Sequence, residues 1–309
     1  LYSVYFLNSA RETRTWPFNS GLVGYFPDSV KNFAYSFTNP KETIVSSAYN
    51  KIKINYYPIP SSSAIGHGGG VNTIGEDSVL VSLNNGEIFI FNIKNKNFNK
   101  IENDIQNKYF SVRDIYLHVE KKKFLVLATV QKQNMCQSIQ FDSYDYEFSN
   151  QIFRISNPIK LWESETECDI PFRAGGRIIY YKNNYFLSTG YFSEKYFSYH
   201  EPGLHPYPQS KDSSFGKILK INDQNESEIY SIGHRVPEGL FVSKSKDLLI
   251  STEHGPKGGD EINIINKNNN YGWPCKTLGT MYGYLEPLYG YEYEQQSKMW
   301  PTDLEELGC

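Results

Sequence analysis

Short apolar segments, separated by glycine or polar residues, recur along most of this chain in one fixed order. Most units open with a glycine-led segment and continue with a strongly apolar one, and the third segment follows a polar break. None of these segments keeps the 3.6-residue period of an amphipathic helix, so each unit predicts three short strands. The units cover residues 69–92, 112–141, 175–222 and 238–266, the second being the weakest copy.

A repeat of several strands with no helical period is typical of a β-propeller. A β-sandwich also uses many short strands, but the fixed order inside each unit favours the propeller. Connections of varying length fall at the same place in the units, between the second and third segments. We therefore expect an all-β propeller whose insertions gather on one face, where a ligand site would form.

The repeat divides the chain into two parts. Residues 1–60 are aromatic, rich in Ser and Asn and weakly patterned, so they form an N-terminal segment, either membrane-proximal or part of an incomplete blade. Residues 61–309 form the propeller. Closed propellers avoid bare sheet edges, so four units predict a ring that is incomplete at least at the C-terminus. The chain begins at Leu1 rather than Met, so the sequence is compatible with a signal peptide or membrane anchor that has been lost.

Composition and motifs narrow the classes of function. The net charge is −3 and the basic residues are scattered, so we expect no nucleic-acid partner. No apolar run approaches the length that spans a bilayer. A Gly-x-Ser-x-Gly elbow, a His-Glu-x-x-His motif and a Rossmann glycine fingerprint do not occur in the sequence. The sequence therefore offers no support for a nicotinamide site of the Rossmann type.

Four cysteines occur in the chain, and none of them forms a C-x-x-C pair. A zinc site is therefore not expected. An even number permits two disulfides, and Cys136–Cys168 with Cys275–Cys309 is the pairing that closes local loops. Free buried thiols are the alternative.

Residues 254–274 combine a turn rich in Gly and Pro with two acidic residues and an apolar strand. Glycine lets the main chain approach a ligand closely, and such a turn can present carbonyl oxygens to a hard cation. Asp260 and Glu261 lie close by to supply negative charge. Neighbouring residues of a strand point to opposite faces, so these two are not expected to serve one ion. The alternative is a wide loop between strands with solvated acids.

Several motifs resemble those of the glucose/sorbosone dehydrogenase family, which comprises the soluble quinoprotein aldose sugar dehydrogenases. They lie at residues 216–219, 233–240, 253–263 and 270–274, and the similarity reaches back to about Gly66. The resemblance implies a six-bladed propeller, of which about four blades are present here. It also implies an oxidoreductase that holds pyrroloquinoline quinone (PQQ) and calcium on one face and oxidises carbohydrates at C1. A secreted protein, periplasmic or extracellular, is the location it implies.

Carried over position by position, the resemblance assigns the cofactor contacts. Arg235 would pair with the carboxylates of the quinone, a role that suits a planar cation with parallel donors. The cofactor-binding positions beside it are His254, Gly255 and Pro256.

The same resemblance implies two calcium ions. The carbonyl groups of Gly255 and Pro256 would ligate the ion that polarises the quinone. Glu261, together with the backbone of Tyr271, would hold a second, structural ion.

The catalytic pocket departs from the family pattern. The general base of the family is a His, and Arg173 occupies that position, although arginine stays protonated and cannot accept a proton. Tyr191 replaces the Asp that orients this base, and Val236 replaces an Asn next to the cofactor-binding arginine. His67 lies where the family usually has a Gln beside the substrate.

Two hypotheses remain open from the sequence. The first is a PQQ-dependent sugar dehydrogenase that passes hydride to the quinone and uses a rearranged base, His67 or His254. The second is a non-catalytic calcium-binding propeller of the same family that binds a carbohydrate or a protein partner, for which the Hedgehog-interacting proteins are a precedent. Arg173 beside Arg235 would favour an anionic ligand, which fits the second hypothesis or an acidic sugar substrate.

Overall fold

The computed structural model describes residues 41–46, 51–61, 68–168, 174–191, 207–255 and 259–273. Within these ranges a hairpin of β1 (Lys41–Ser46) and β2 (Lys51–Tyr56) precedes four antiparallel sheets, which we call blades 1 to 4. Blade 1 contains β3 (Gly69–Ile74), β4 (Ser78–Leu83), β5 (Ile88–Asn92) and β6 (Asn97–Ile101). Blade 2 contains β7 (Ser111–His118), β8 (Lys123–Gln131), β9 (Gln137–Ser149) and β10 (Ile152–Glu163).

Blade 3 contains β11 (Arg177–Tyr181), β12 (Asn184–Thr189), β13 (Lys217–Ile221) and β14 (Ser227–Ile232). Blade 4 contains β15 (Pro237–Ser243), β16 (Leu248–Glu253) and β17 (Glu261–Ile265). A short helix α1 (Ile105–Lys108) links blades 1 and 2, and a 3-10 turn (Gln133–Met135) precedes β9. In the ranges described, neither helical segment has the length and apolar character needed to cross a bilayer.

The propeller prediction is confirmed. Every sheet consists of strands that are consecutive in the chain, each paired with the next, and every predicted segment coincides with one of the first three strands of a blade. The first strands β3, β7, β11 and β15 are neighbours in space, so they form the inner wall around a common axis. This radial arrangement of separate sheets excludes the β-sandwich.

The outer strands β6, β10 and β14 were not predicted. A fourth strand has one free edge and exposes side chains on both faces, so no apolar alternation marks it in the sequence. Most of the β10 side chains from Arg154 to Pro158 are exposed. Pro158 lies at a register shift between Ser156 and Ile159, a position where an edge strand tolerates proline.

The core lies between adjacent blades. Phe124 and Val126 on β8 pack towards blade 1, whereas Leu125 and Leu127 pack towards blade 3. Because both faces of this strand are covered, its sequence is a continuous apolar run rather than an alternating one. A smaller cluster joins blades 3 and 4.

Cys136 and Cys168 form a disulfide, which confirms the first of the two pairings. The bond joins the start of β9 to the segment that follows β10. Within that segment, Glu167 exchanges two backbone hydrogen bonds with Gln137, at 2.7 and 2.8 Å. Cys275 and Cys309 lie outside the described residues, as do His67, Arg173 and Pro256.

Candidate functional site

The candidate site lies on the face where the inner strands begin and the second strands end. Gly69 of β3 pairs with Leu83 of β4, and Pro237 of β15 pairs with Glu253 of β16, so both kinds of strand end meet at one rim. The connections between second and third strands leave from the same rim. The insertions therefore share one face, as the repeat predicted.

Arg235 is the central cation of this site and is only 4% exposed. Its Nη1 donates hydrogen bonds to the carbonyl oxygens of His254 and Gly255, both at 2.7 Å. The guanidinium carbon lies 5.0 Å from the ring centre of Trp273 and 5.6 Å from that of Tyr191. Such distances permit cation–π attraction, so the two rings and the two carbonyls together fix the guanidinium.

Tyr191, Val236 and Trp273 form a buried cluster beside Arg235. The Tyr191 amide donates to the Arg235 carbonyl at 2.9 Å, and the ring centres of Tyr191 and Trp273 are 5.8 Å apart. Two of the positions at which the sequence departs from the family pattern thus join one apolar wall. A carboxylate and an amide at these positions would make a polar pocket, whereas Tyr191 and Val236 make a packed one.

A buried histidine–carboxylate pair lies behind Arg235. His234 is fully buried, and its Nδ1 lies 2.6 Å from Glu253 Oε1. Glu253 also accepts hydrogen bonds from Ser251 Oγ at 2.8 Å and from Asn263 Nδ2 at 3.1 Å. Burial alone would raise the pKa of Glu253, but the charge and hydrogen bonds of His234, with Ser251 and Asn263, hold it below its ordinary value.

Sequence reasoning gave no role to His234 or Glu253, although both lie in the motifs it singled out. One signal was available, because strand alternation places Ser251 and Glu253 on the same face of β16.

His234 Nε2 also lies 2.8 Å from Ser231 Oγ. A Ser, a His and a Glu in this order have the connectivity of a hydrolytic triad. Ser231 is only 1% exposed, however, so no substrate can reach it and the three residues are structural.

The turn after β16 brings a second histidine close to a carboxylate. His254 Nδ1 lies 3.2 Å from Asp260 Oδ1, and the same oxygen accepts a hydrogen bond from the Gly255 amide at 3.0 Å. His254 has a half-exposed side chain. A Cβ at Gly255 would lie 1.8 Å from the carbonyl oxygen of Gly259, so only glycine allows the two arms of the turn to approach this closely.

The predicted ligands of the second calcium ion lie close to the His234–Glu253 pair. Glu261 is directly opposite Glu253 in the ladder, and Asn263 Nδ2 lies 3.0 Å from Glu261 Oε2. The ring of Tyr271 stacks on His234 with 4.7 Å between centres. No group of three or more His, Cys, Asp or Glu residues suited to a metal occurs among the residues that the structure describes. Binding of calcium at Glu261 and Tyr271 stays a prediction.

Arg177 connects the inner strands around the axis. Its Nη1 donates to the carbonyl oxygens of Gly69 in blade 1, at 3.0 Å, and Arg113 in blade 2, at 3.1 Å. Its Nε donates to the carbonyl oxygen of Glu238 in blade 4. The carboxylate of Asp114 lies 3.5 Å from Nη1. One guanidinium from blade 3 therefore links all four blades.

Burial raises the pKa of Asp114 to about 7, and the opposing charge of Arg177 only partly offsets this effect. The folded protein therefore holds a proton that the unfolded chain releases near pH 4. Between about pH 4 and pH 7, stability falls as the pH rises, because the native state binds more protons. We expect Asp114→Asn to remove this component.

The measurement for this prediction is the urea midpoint of both proteins at several pH values. The difference between wild type and Asp114→Asn should change steadily from pH 4 to pH 7 and become constant above it. A difference independent of pH across this window would contradict the prediction.

Comparison with known proteins decides the family of this chain. The family model described as Glucose / Sorbosone dehydrogenase matches residues 66–300, more than half of the chain. The chain belongs to the glucose/sorbosone dehydrogenase family. The aldose sugar dehydrogenase YliI of Escherichia coli is 35% identical over 123 residues, which cover 35% of this chain and 30% of the relative. Quinoprotein glucose dehydrogenase B of Acinetobacter calcoaceticus is 38% identical over 94 residues, which cover 26% of this chain and 18% of the relative.

Solved structures show the same fold. The soluble aldose sugar dehydrogenase of E. coli, in its apo form, superimposes with a TM-score of 0.61 at 21% identity and covers 72% of this chain and 67% of that chain. The PQQ-bound aldose sugar dehydrogenase of Streptomyces coelicolor gives a TM-score of 0.52 at 21% identity, covering 68% of this chain and 63% of that chain. The chain spans about a third or less of the curated relatives it matches.

The site residues can be tested against PQQ and calcium. The Gly255 carbonyl oxygen, a predicted calcium ligand, already accepts a hydrogen bond from Arg235 at 2.7 Å. A calcium ion bound at this oxygen would lie within roughly 5 Å of the guanidinium, and like charges repel. The rings of Tyr191 and Trp273 also lie against the guanidinium that would face the quinone. Among the site residues that the structure describes, the arrangement of Arg235, Gly255, Tyr191 and Trp273 does not fit the quinone and its calcium.

Proposed function

We propose that this chain is a ligand-binding propeller of the sugar dehydrogenase family that binds a small acidic sugar at the rim beside Arg235, whose buried positive charge attracts the carboxylate, without oxidising it. The observation that carries this proposal is the packing of Tyr191 and Trp273 against Arg235. The packed wall stands where the family pattern has the carboxylate that orients its catalytic base.

Oxidation at C1 requires a group that takes the hydroxyl proton while hydride leaves the carbon. The sequence has Arg173 at the position of the base, and arginine remains protonated. Tyr191 has no carboxylate to orient a base, and its amide is already bonded to the Arg235 carbonyl oxygen. The chain therefore lacks the proton acceptor of the family pattern.

The cationic groups of this face support an anionic ligand. Arg235 lies at the rim, and Arg113 and Arg177 lie near the start of their inner strands. Each of these guanidinium groups donates to main-chain carbonyl oxygens, so it acts on an anion through its positive charge, which arginine keeps at any physiological pH. A sugar acid would offer a carboxylate to these groups and hydroxyls to the surrounding main chain.

A second candidate is a PQQ- and calcium-dependent aldose dehydrogenase with a rearranged base. The contact between His254 and Asp260 favours it, because a carboxylate at Nδ1 orients a histidine to accept a proton at Nε2. His254 is exposed enough to meet a sugar. The names of the similar proteins point in the same direction.

Reconstitution separates the two candidates. The protein is incubated with PQQ and calcium, and dye-linked oxidation is followed with glucose and with glucuronate. We expect no oxidation above the blank, together with glucuronate binding in calorimetry that is abolished in Arg235→Met. The E. coli enzyme treated in the same way serves as the positive control.

Dye reduction by the wild type that disappears in His254→Asn would overturn the proposal in favour of the dehydrogenase. Asp260→Asn should then lower the rate as well, because it removes the group that orients His254. Absence of both oxidation and glucuronate binding would reject the acidic-sugar ligand.

We also propose a periplasmic or extracellular location. The disulfide between Cys136 and Cys168 supports it, because such bonds persist in oxidising compartments and are rare in the cytosol.

A further inference from the structure

The connection between β12 and β13 in blade 3 ends in residues 207–216, which pack against other blades. Ser213 Oγ donates to the carboxylate of Glu165 at 2.6 Å, and the hydroxyl of Tyr207 donates to Glu167. Both acids lie in the segment that follows β10. We call residues 207–216 the blade-3 insertion, and these contacts fix it against blade 2.

A buried ammonium group holds the base of the insertion together. Lys217 Nζ donates to the carbonyl oxygens of Tyr207, Phe215 and Pro208, at 2.5, 2.7 and 3.1 Å. These three carbonyls come from both ends of the insertion. Its backbone is therefore closed around one side chain of β13.

Gln209 joins the insertion to blade 4 and is 7% exposed. Its Nε2 donates to the Trp273 carbonyl oxygen at 2.6 Å and to Asn270 Oδ1 at 3.1 Å. Its Oε1 accepts a hydrogen bond from Asn270 Nδ2 at 2.6 Å. Three hydrogen bonds from one side chain thus hold the turn that carries Trp273.

The same turn presents its ring to the candidate site. The Trp273 amide donates to the Gly233 carbonyl oxygen at 2.9 Å, and the ring lies against the guanidinium of Arg235. Gln209 thus contacts the main chain of Trp273, and Arg235 contacts its ring. A change at Gln209 can therefore reach the cation by moving Trp273 or the turn around it.

We infer that Gln209 is the positioning residue of the ligand site: it fixes the Trp273 ring over Arg235, so the blade-3 insertion sets the affinity for the ligand. The ligand in this inference rests on the proposed function. The position of the Trp273 ring does not rest on the proposed function, because it can be measured without any ligand.

The first experiment uses Gln209→Leu and the fluorescence of Trp273. The chain has 4 Trp residues, so the emission of Trp273 is taken as the difference between each protein and its Trp273→Phe counterpart. We expect the emission of Trp273 to shift to longer wavelength in Gln209→Leu, because the ring loses its packing on Arg235 and meets water. Unchanged Trp273 emission would overturn the inference.

Gln140→Leu is the matched control. Gln140 is also buried, and its Nε2 donates to both oxygens of Asp142 in blade 2, at 2.9 and 2.8 Å. This variant also loses the hydrogen bonds of a buried glutamine, here to a carboxylate in blade 2. It should lower the melting temperature but leave the emission of Trp273 unchanged. Equal shifts in both variants would show general loosening and reject the inference.

The second experiment measures glucuronate binding by calorimetry. We expect Gln209→Leu to weaken binding about tenfold, and to have no further effect in the Trp273→Phe background, because the residue acts through Trp273. An equal loss in both backgrounds would overturn the inference. If the wild type does not bind glucuronate, the ligand of the proposed function is wrong, and the fluorescence experiment still decides the role of Gln209.

Discussion

Replacing Glu253 with leucine will lower the free energy of unfolding by roughly 3–5 kcal/mol, because several buried donors lose the acceptor on which they converge. Glu253 accepts hydrogen bonds from Ser251 and Asn263 and lies 2.6 Å from His234 Nδ1. Leucine has a similar volume but leaves all these donors buried without their acceptor. Each donor left unpaired then costs its desolvation free energy. Urea unfolding of both proteins measures the change.

The pH dependence of stability provides a second test of the contacts made by Glu253. The folded-state pKa of Glu253 lies below its ordinary value of 4.5, so its contribution is fully present above that pH. The contribution is lost as the pH falls through the folded-state pKa. The difference between wild type and variant should therefore shrink in acid.

Glu102→Leu is the control for Glu253→Leu, because Glu102 is exposed, and it should change stability by about 0.5 kcal/mol or less. A loss below about 1 kcal/mol in Glu253→Leu would mean that Ser251, His234 and Asn263 find other partners.

Removing the disulfide with Cys136→Ala and Cys168→Ala will lower the free energy of unfolding by about 3–4 kcal/mol in the chain-entropy model. The bond closes a loop with a sequence separation of 32, and without it the unfolded chain gains conformational freedom. The measurement is urea unfolding of the double variant and of the wild type under non-reducing conditions.

The wild type with reductant should approach the stability of the double variant, and reductant should not change the variant. A double variant as stable as the oxidised wild type would show that this loop is held by other contacts. The backbone hydrogen bonds between Gln137 and Glu167 are the candidates for such contacts.

The strands that could be predicted are those whose side chains pack between blades. β8 is a continuous apolar run because Leu125 and Leu127 cover one neighbouring blade while Phe124 and Val126 cover the other. The outer strand β10 is less constrained, since most of its side chains from Arg154 to Lys160 are exposed. For that reason the repeat gave three strands in each unit, whereas three of the blades described have four.

The site was predictable in its location but not in its contacts. Arg235, His254 and Gly255 were identified by their motifs, and the structure places them together. The hydrogen bonds from Arg235 to the two carbonyls leave no mark in the sequence, because they depend on how the turn after β16 folds back. The roles of His234 and Gln209 were missed for the same reason.

The sequence by itself determined the propeller repeat, the family and the loss of the usual base, since each depends on residue type and spacing along the chain. The tertiary structure decided which side chains share the rim. It placed Tyr191 from blade 3 and Trp273 beyond blade 4 against one guanidinium, and it brought Gln209 to the Trp273 carbonyl oxygen. The physical reason is that each blade is locally encoded, whereas contacts between blades require the insertions to fold back over a common face.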